Sequence, residues 1–167
     1  MKNIVLIGMP ASGKSTIGVI LAKVMGMDFL DADLVIQKRE KKRLADIIDE
    51  VGVEGFLKVE EEALLSIETQ HPTVIATGGS AVYSEKGMNH LKKEAKAVYL
   101  EVSLEDLKQR LSNIKDRGVV VKKGQGVDDI YRERIPLYEK YQDFTIYEKG
   151  KTPENIVEEI SNQDFSS

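Results

Sequence analysis

The stretch from Gly8 to Ser15 reads Gly-Met-Pro-Ala-Ser-Gly-Lys-Ser and constrains the chain more than any other. It matches the phosphate-binding loop pattern, in which a glycine, four residues and a second glycine precede Lys and then Ser or Thr. An apolar run at 3–7 comes before it, and a helix-compatible run at 16–24 follows. A strand that turns through glycines into a helix directs backbone N–H groups and the positive end of the helix at one point. The pattern therefore predicts an anion-binding site, the alternative being an ordinary glycine turn that matches by chance.

The residue types in this loop are those that bind a nucleoside triphosphate. Gly8 and Gly13 allow the backbone conformations and the close approach that a phosphate needs. Lys14 can reach the terminal phosphates, and the Ser15 hydroxyl can ligate Mg²⁺. The residues predicted to bind the nucleotide in this loop are Gly8, Ala11, Ser12, Gly13, Lys14, Ser15 and Thr16.

Short apolar runs alternate with helical patterns along the chain, which predicts an α/β fold. The predicted strands lie at 3–7, 29–31, 73–76, 97–101 and 144–147. The predicted helices lie at 14–25, 44–70 with breaks near Gly52 and Gly55, 84–93, 104–114 and 127–141, with a last one that begins at Thr152-Pro153. Such alternation implies three layers, with a five-stranded parallel sheet between two layers of helices. A chain of 167 residues is expected to form one domain.

Composition excludes several classes of function. The net charge of −4 argues against a general nucleic-acid binder and gives no reason to expect an anionic membrane surface as partner. The absence of cysteine excludes disulfides and thiolate metal sites. No apolar run approaches the roughly 20 residues of a membrane helix, and the N-terminus enters the phosphate loop directly, as a core strand does and a signal peptide does not. We therefore expect a cytoplasmic, monomeric protein without a nucleic-acid or membrane partner.

The second predicted strand leads into Asp31-Ala-Asp33. Alternation along a strand would place both carboxylates on one side, facing the loop that carries Lys14 and Ser15. Asp31 could hold Mg²⁺ through water, and Asp33 could bind a substrate hydroxyl or accept its proton. Either residue could instead be the N-cap of a following helix, a position that Asp favours.

Two glycines and a serine, Gly78-Gly79-Ser80, follow the third predicted strand. Adjacent glycines let backbone N–H groups approach a ligand closely. No Asp follows this strand, so the carboxylate that many phosphate-loop enzymes place there must come from elsewhere, with Asp31 as the obvious supplier. A simple tight turn is the alternative.

The segment 115–126 breaks the periodicity, with three glycines and four cations between two helical patterns. A loop of this length in a compact domain is usually functional, often as a lid, although a disordered surface loop is the alternative. Arg110, Arg117 and Arg134 are the cations expected to face a nucleotide or substrate. Each one taken alone could equally form a solvated surface pair.

Taken together, these stretches resemble the shikimate kinase family, which belongs to the nucleoside monophosphate kinase-like group. The resemblance covers nearly the whole chain. It rests on the phosphate loop, Asp31-Ala-Asp33, Gly52…Phe56…Glu60, Ala76-Thr-Gly-Gly79, Arg110 with Arg117 seven residues later, and Arg134-Ile-Pro-Leu-Tyr138. It implies a single P-loop kinase domain with a substrate-binding helical region at about 33–62 and a lid at about 115–126.

The resemblance also implies the roles of individual residues. Lys14 and Ser15 would hold ATP and Mg²⁺. Asp33 would bind acceptor hydroxyls and serve as base, beside Gly78 and Gly79. Arg110 would pack on adenine and Arg117 would reach the phosphates, while Arg134 would bind the acceptor carboxylate. The implied catalytic residues are Lys14, Asp33 and Arg117.

Three positions depart from the family pattern. Leu57 stands where the family has a carboxylate-binding Arg, Ser80 replaces the third of three glycines, and Gly118 replaces a Pro after the lid Arg. A charge-assisted contact contributes roughly 1.5–3 kcal/mol, so its loss should weaken a carboxylate acceptor about tenfold to a hundredfold. Leu57 and Ser80 would line the acceptor site. The sequence therefore predicts ATP-dependent phosphorylation of shikimate, with a different hydroxylated metabolite or a non-catalytic nucleotide-binding regulator as alternatives.

Overall fold

A five-stranded parallel sheet forms the centre of the protein, described here from a computed structural model that covers residues 1–111 and 119–166. The strands are β1 (Asn3–Ile7), β2 (Asp28–Asp31), β3 (Thr73–Ala76), β4 (Ala95–Glu101) and β5 (Phe144–Tyr147). Their order across the sheet is β2-β3-β1-β4-β5, and every neighbouring pair is parallel. The predicted sheet is confirmed.

Helices connect these strands. They are α1 (Lys14–Met25), α2 (Ala32–Glu40), α3 (Leu44–Ser66), α4 (Glu85–Lys92), α5 (Leu104–Arg110), α6 (Val127–Tyr141) and α7 (Pro153–Ser161), with a 3₁₀ turn at Ala81–Tyr83. α7 begins as predicted, because the Thr152 hydroxyl accepts the N–H of Asn155 and Pro153 occupies the first turn. No helix of the described part of the chain is long and apolar enough to cross a membrane.

Two helices differ from the sequence expectation. Helix α2 was not predicted, because it buries only Ala32 and Ile36 and so shows no clear apolar stripe. Helix α3 ends at Ser66, four residues before the predicted end. The predicted break near Gly52 is confirmed, since Gly52 has the non-helical angles φ 75° and ψ 176°, whereas the helix continues through Gly55. Residues 112–114 of the fourth predicted helix and residues 115–118 of the predicted lid lie outside the described residues.

The sheet is covered on both faces, since side chains along β1 alternate between two apolar clusters. Val5 and Ile7 pack with residues of α3, α4, α5 and α6. Ile4 and Leu6 pack with residues of α1 and α7. The α/β fold therefore has three layers, as the alternation of strands and helices predicts.

A third cluster ties α2 to α3 away from the sheet. Ile36 of α2 packs with Ile47, Phe56 and Ala63 of α3 and with Val120 beyond α5. These helices lie within the region that the sequence assigns to substrate binding, and that assignment stays a prediction at this stage.

The strand order determines which segments surround the phosphate loop. The loop follows β1, which is central, so the segments after β2 and β3 lie to one side and those after β4 and β5 to the other. Ligands of open parallel sheets bind beyond the carboxyl ends of the strands. Both sides of the loop are therefore available for one site.

Leu64 and Leu65 of α3 provide a matched test of this core. Leu64 is fully buried, whereas Leu65 is 41% exposed. We expect Leu64→Ala to lower the free energy of unfolding by about 2–5 kcal/mol, because it removes buried methyl groups and leaves a cavity. Leu65→Ala should lower it by about 1 kcal/mol or less. Urea denaturation followed by circular dichroism measures both, and equal losses would contradict the packing described here.

Candidate active site

The loop between β1 and α1 has the backbone geometry of a phosphate cradle. Gly13, directly before the first residue of α1, has a left-handed backbone conformation with φ 87°. Few residues other than glycine adopt this conformation. A side-chain carbon at Gly8 would stand 2.8 Å from the carbonyl oxygen of Leu100. Both glycines are thus required, the first for space and the second for conformation. Ala11 is also left-handed, at φ 65°, which places backbone strain in the same turn.

Lys14 is held inside the loop by the loop itself. Its Nζ donates to the carbonyl oxygens of Gly8 at 2.7 Å and Met9 at 2.8 Å, and to Oγ of Ser12 at 3.3 Å. Only 7% of the residue is exposed. Burial lowers the pKa of Lys14 to about 8, against the opposing charge of Asp33. Lys14 therefore stays mostly protonated at neutral pH, with its charge directed into the loop.

Ser15 and Asp31 form a pair of oxygen ligands. The Ser15 hydroxyl donates to Oδ2 of Asp31 at 2.9 Å, while Oδ1 of Asp31 accepts the N–H of Asp33. Asp31 is therefore the N-cap of α2 and a neighbour of Ser15 at once. No group of three or more His, Asp or Glu side chains that could hold a metal occurs among the described residues. Mg²⁺ usually binds one or two carboxylates and completes its shell with phosphates and water, so this pair fits it.

A cavity of about 360 Å³ lies between the loop, α3, the turn after β3 and α6. The predicted site residues that line it are Ala11, Gly13, Lys14, Ser15, Thr16, Asp33, Gly78, Gly79, Ser80 and Arg134. Of the other predicted residues, Gly8, Ser12, Asp31, Leu57 and Arg110 do not line it, and Arg117 lies outside the described residues. The structure thus brings together most of what the sequence singled out.

Asp33 reaches this cavity from a helix. Strand β2 ends at Asp31, so the expectation that Asp33 continues the strand was wrong, and Asp33 lies in the first turn of α2. Its Oδ1 would lie 2.6 Å from a side-chain carbon added at Gly78. Burial raises the pKa of Asp33 to about 6, and the neighbouring Asp31 adds to the rise while Lys14 opposes it. At neutral pH Asp33 is therefore ionised and directed at the cavity.

Arg134 lines the cavity opposite the loop and is 1% exposed. Its Nη2 donates to the carbonyl oxygen of Val120 at 2.6 Å, and its Nε donates to the Tyr83 hydroxyl at 3.3 Å. Its Nη1 is buried and has no hydrogen-bond partner among the described residues. A side-chain carbon at Gly79 would stand 3.0 Å from this Nη1. An unpaired buried guanidinium N–H is costly, so an anion that paired with Nη1 would relieve this cost.

Gly79 joins the acceptor side of the cavity to the phosphate loop. A side-chain carbon there would stand 2.7 Å from Cδ of Pro10, so the two turns pack more closely than any other residue would allow. The Tyr138 hydroxyl donates to the carbonyl oxygen of Gly79 at 2.6 Å. The glycine pair is therefore part of a fixed wall and more than a simple turn.

Glu60 of α3 is a cavity residue to which the sequence assigned no role. It is 2% exposed, and its Oε1 accepts the Ser80 hydroxyl at 2.7 Å. Burial raises the pKa of Glu60 to about 7, although the Ser80 hydrogen bond opposes the rise. A second carboxylate thus stands near Asp33 in the cavity wall.

Arg110 and Glu148 lie on the other side of the phosphate loop, after β4 and β5. Nη1 of Arg110 donates to the carbonyl oxygen of Ala11 at 3.0 Å and lies 3.6 Å from Oε1 of Glu148. Burial raises the pKa of Glu148 to about 7, and Arg110 opposes the rise. Its Oε2 is buried without a hydrogen-bond partner among the described residues. Sequence analysis missed Glu148, since a single carboxylate after a strand carries no pattern.

Comparison with known proteins agrees with this geometry. The sequence matches the shikimate kinase family over residues 10–164. A shikimate kinase of Sulfurihydrogenibium sp. (strain YO3AOP1) is 36% identical over 160 residues, which cover 96% of each chain. That of Thermodesulfovibrio yellowstonii is 37% identical over 162 residues, 96% of this chain and 93% of the other. The chain belongs to the shikimate kinase family.

Solved structures of the family have the same fold. Shikimate kinase from Acinetobacter baumannii, in complex with shikimate, has a TM-score of 0.87 at 29% identity and covers 96% of this chain and 91% of its own. Shikimate kinase from Aquifex aeolicus has a TM-score of 0.81 at 31% identity, with 95% and 94% covered. The P-loop kinase fold is therefore confirmed. The family implies an ATP-dependent phosphotransferase with an alcohol group as acceptor.

Leu57, where the shikimate kinase pattern predicts Arg, lies beside the main cavity. It lines a neighbouring space of about 160 Å³ with Val53, Val120 and Arg134, and another of about 150 Å³ with Glu60 and Ser80. Leu57 instead contributes an apolar surface there.

Glu148 predicts a pH dependence of stability. Its pKa rises from 4.5 to about 7 on folding, so the folded protein holds a proton that the unfolded chain releases between these values. Stability is therefore lost as pH rises through this window. We expect Glu148→Gln to match the wild type near pH 4.5 and to melt at a higher temperature at pH 8. Glu62→Gln, at an exposed position of α3, serves as control, and a difference that does not change with pH would contradict this account.

Proposed function

We propose that this member of the family is a shikimate kinase, which transfers the γ-phosphoryl group of ATP to a hydroxyl of shikimate and forms ADP and 3-phosphoshikimate. The observation that supports it best is Arg134, which lines the cavity together with Lys14 and Asp33 and whose buried Nη1 has no hydrogen-bond partner among the described residues. Arg134, Asp33 and Lys14 would thus supply the anion site, the hydroxyl-binding carboxylate and the phosphate contact that a hydroxylated carboxylic acid beside ATP requires.

The donor half of the site is the phosphate loop. Backbone N–H groups at the start of α1 would bind the phosphates, and Lys14 would leave the carbonyl oxygens of Gly8 and Met9 to contact the terminal phosphate. Ser15 and Asp31 would hold Mg²⁺, which when bound neutralises charge on the phosphates. Asp31 also caps α2. The same carboxylate would therefore bind the metal and fix the start of the helix that carries Asp33.

The acceptor half is built from α2, the turn after β3 and α6. Arg134 would pair its free N–H with the acceptor carboxylate, and Tyr83 and Val120 would keep the guanidinium in place. Asp33 would accept a hydrogen bond from the reacting hydroxyl and orient or deprotonate it. Its pKa of about 6 leaves it ionised at neutral pH, as this role requires. The relative from Acinetobacter baumannii, whose structure contains shikimate, supports an acceptor of this kind.

The remaining roles come from the resemblance. Arg110, which contacts Ala11 in the phosphate loop, would pack on adenine. Arg117 would reach the phosphates from the lid, of which Val119 and Val120 line the main cavity. Closing of such a segment excludes water and thereby prevents hydrolysis of ATP. Catalysis would then consist mainly of positioning and of charge neutralisation by Lys14 and Arg117.

The cellular setting is also a proposal from the resemblance. We infer that the protein acts in the cytoplasm, as a monomer, in the biosynthesis of aromatic amino acids. A related kinase with another hydroxylated acceptor is the second candidate, because Leu57 supplies no cation to the acceptor side.

Turnover with a panel of acceptors tests the function. We expect coupled ADP release with shikimate to exceed that with sugars, polyols and other hydroxy acids. Asp33→Asn and Lys14→Met should each lower kcat by at least about a hundredfold, because each removes charge that acts on the reacting groups. Glu62→Gln serves as control. Turnover of another acceptor in preference to shikimate would support the second candidate, and normal turnover in either variant would refute its assigned role.

Arg134 and Arg132 provide a matched pair on α6. The Arg132 side chain is 73% exposed, whereas Arg134 is buried at the cavity. We expect Arg134→Lys to raise KM for shikimate about tenfold or more, since a guanidinium contact to a carboxylate contributes roughly 1.5–3 kcal/mol. KM for ATP should change little, and Arg132→Lys should change neither constant. An unchanged KM for shikimate in Arg134→Lys would place the carboxylate elsewhere.

A further inference from the structure

Glu60 and Ser80 line both the main cavity and the adjoining space of about 150 Å³ that Leu57 borders. Glu60 and Leu57 are three residues apart on α3, so they lie on neighbouring positions of one helix face. A hydrogen-bond donor to the Glu60 carboxylate could therefore come either from residue 57 on α3 or from the turn after β3.

The donor comes from the turn. Oγ of Ser80 lies 2.7 Å from Oε1 of Glu60, and the two residues are 4% and 2% exposed. Ser80 precedes the 3₁₀ turn at Ala81–Tyr83, but its hydroxyl makes no capping bond there and is free to donate to Glu60. Leu57 has no donor to offer. In the part of the chain that the structure describes, this is the hydrogen bond that Glu60 accepts.

The other oxygen of Glu60 is directed at the acceptor side. Oε2 would lie 3.1 Å from a side-chain carbon at Gly78, and Oδ1 of Asp33 would lie 2.6 Å from the same point. Two carboxylate oxygens therefore converge above Gly78, in the cavity that Arg134 also lines. Convergent acceptors of this kind suit a ligand with more than one hydroxyl group.

We propose that Ser80 is a positioning residue of the acceptor site, whose hydroxyl holds Oε1 of Glu60 so that Oε2 can accept a hydrogen bond from an acceptor hydroxyl. The Ser80 hydroxyl, in the turn after β3, thereby donates to Glu60 the hydrogen bond that the apolar side chain of Leu57, on α3, cannot donate. The inference rests on the proposed function, and it adds Ser80 to the residues that position the acceptor.

Steady-state kinetics of Ser80→Ala test this role. We expect KM for shikimate to rise about tenfold with kcat and KM for ATP nearly unchanged, because a contact held equally in ground and transition states acts on KM alone. Ser84→Ala is the matched control, since Ser84 also donates to a carboxylate of α3, Glu61, and neither residue lines the main cavity. Ser84 also caps α4, so the melting temperature of each variant is recorded. Equal KM values in the two variants would overturn the inference.

A second-site substitution distinguishes positioning from a general effect on folding. Arg at position 57 would offer Glu60 a donor from α3, besides any contact with the acceptor carboxylate. We therefore expect Leu57→Arg to lower KM for shikimate by a larger factor in the Ser80→Ala background than in the wild-type background. Additive effects of the two substitutions would overturn the inference.

Titration of Glu60 gives a readout that does not depend on turnover. The Ser80 hydrogen bond lowers the pKa of Glu60, and Asp33, Arg134 and Lys14 are the charged groups that act on it from neighbouring elements. Removal of the hydroxyl should raise this pKa, and the acidic limb of kcat/KM for shikimate should move to higher pH with it. Carboxyl ¹³C NMR, assigned with Glu60→Gln, measures the first shift. An unchanged pKa in Ser80→Ala would overturn the inference, whereas a wild type that phosphorylates none of the acceptors would overturn the proposed function.

Discussion

The buried ammonium group of Lys14 is the interaction on which the site depends. It lies at the end of the central strand, bonded to two backbone carbonyls of its own loop, and its pKa is lowered to about 8. Three carboxylates, Asp33, Glu148 and Asp31, act on this charge from both sides of the loop. Because a buried charge is stable only among partners, the carbonyl oxygens of Gly8 and Met9 and the carboxylate of Asp33 stabilise Lys14 in the free protein as well as during any reaction.

Much of the fold could be predicted because its signals are local. β1, β3, β5, α1 and α6 have the bounds that the sequence predicts, since turn residues or loop motifs flank each apolar run. Helix α2 could not be predicted, because only Ala32 and Ile36 of its residues are buried and the rest show no helical period. Because this helix was not predicted, Asp33, which belongs to it, was wrongly expected to continue strand β2.

The residues of the site likewise fall into those that a local sequence pattern predicts and those that only packing reveals. Lys14, Ser15 and Asp31 could be predicted from a motif and a strand end, which are contiguous in sequence. The partnership of Glu60 with Ser80 joins residues 20 positions apart, and it depends on how α3 packs against the turn after β3. Leu57 signalled a missing cation, but only packing reveals that the Ser80 hydroxyl, from another element, reaches the Glu60 carboxylate. Glu148 had no signal, because burial after β5 is what makes it unusual.

The free N–H of Arg134 has a consequence for selectivity. The guanidinium is already tethered to Val120 and Tyr83, so it cannot turn to solvent when a ligand offers it no anion. A neutral isostere that fills the cavity would leave Nη1, which is already buried, without a partner, so it would not gain the pairing that an anion gains there. Rejection of uncharged polyols would then come from this missing gain, without any steric clash. A rigid cavity wall can therefore select against uncharged ligands without any steric feature that excludes them.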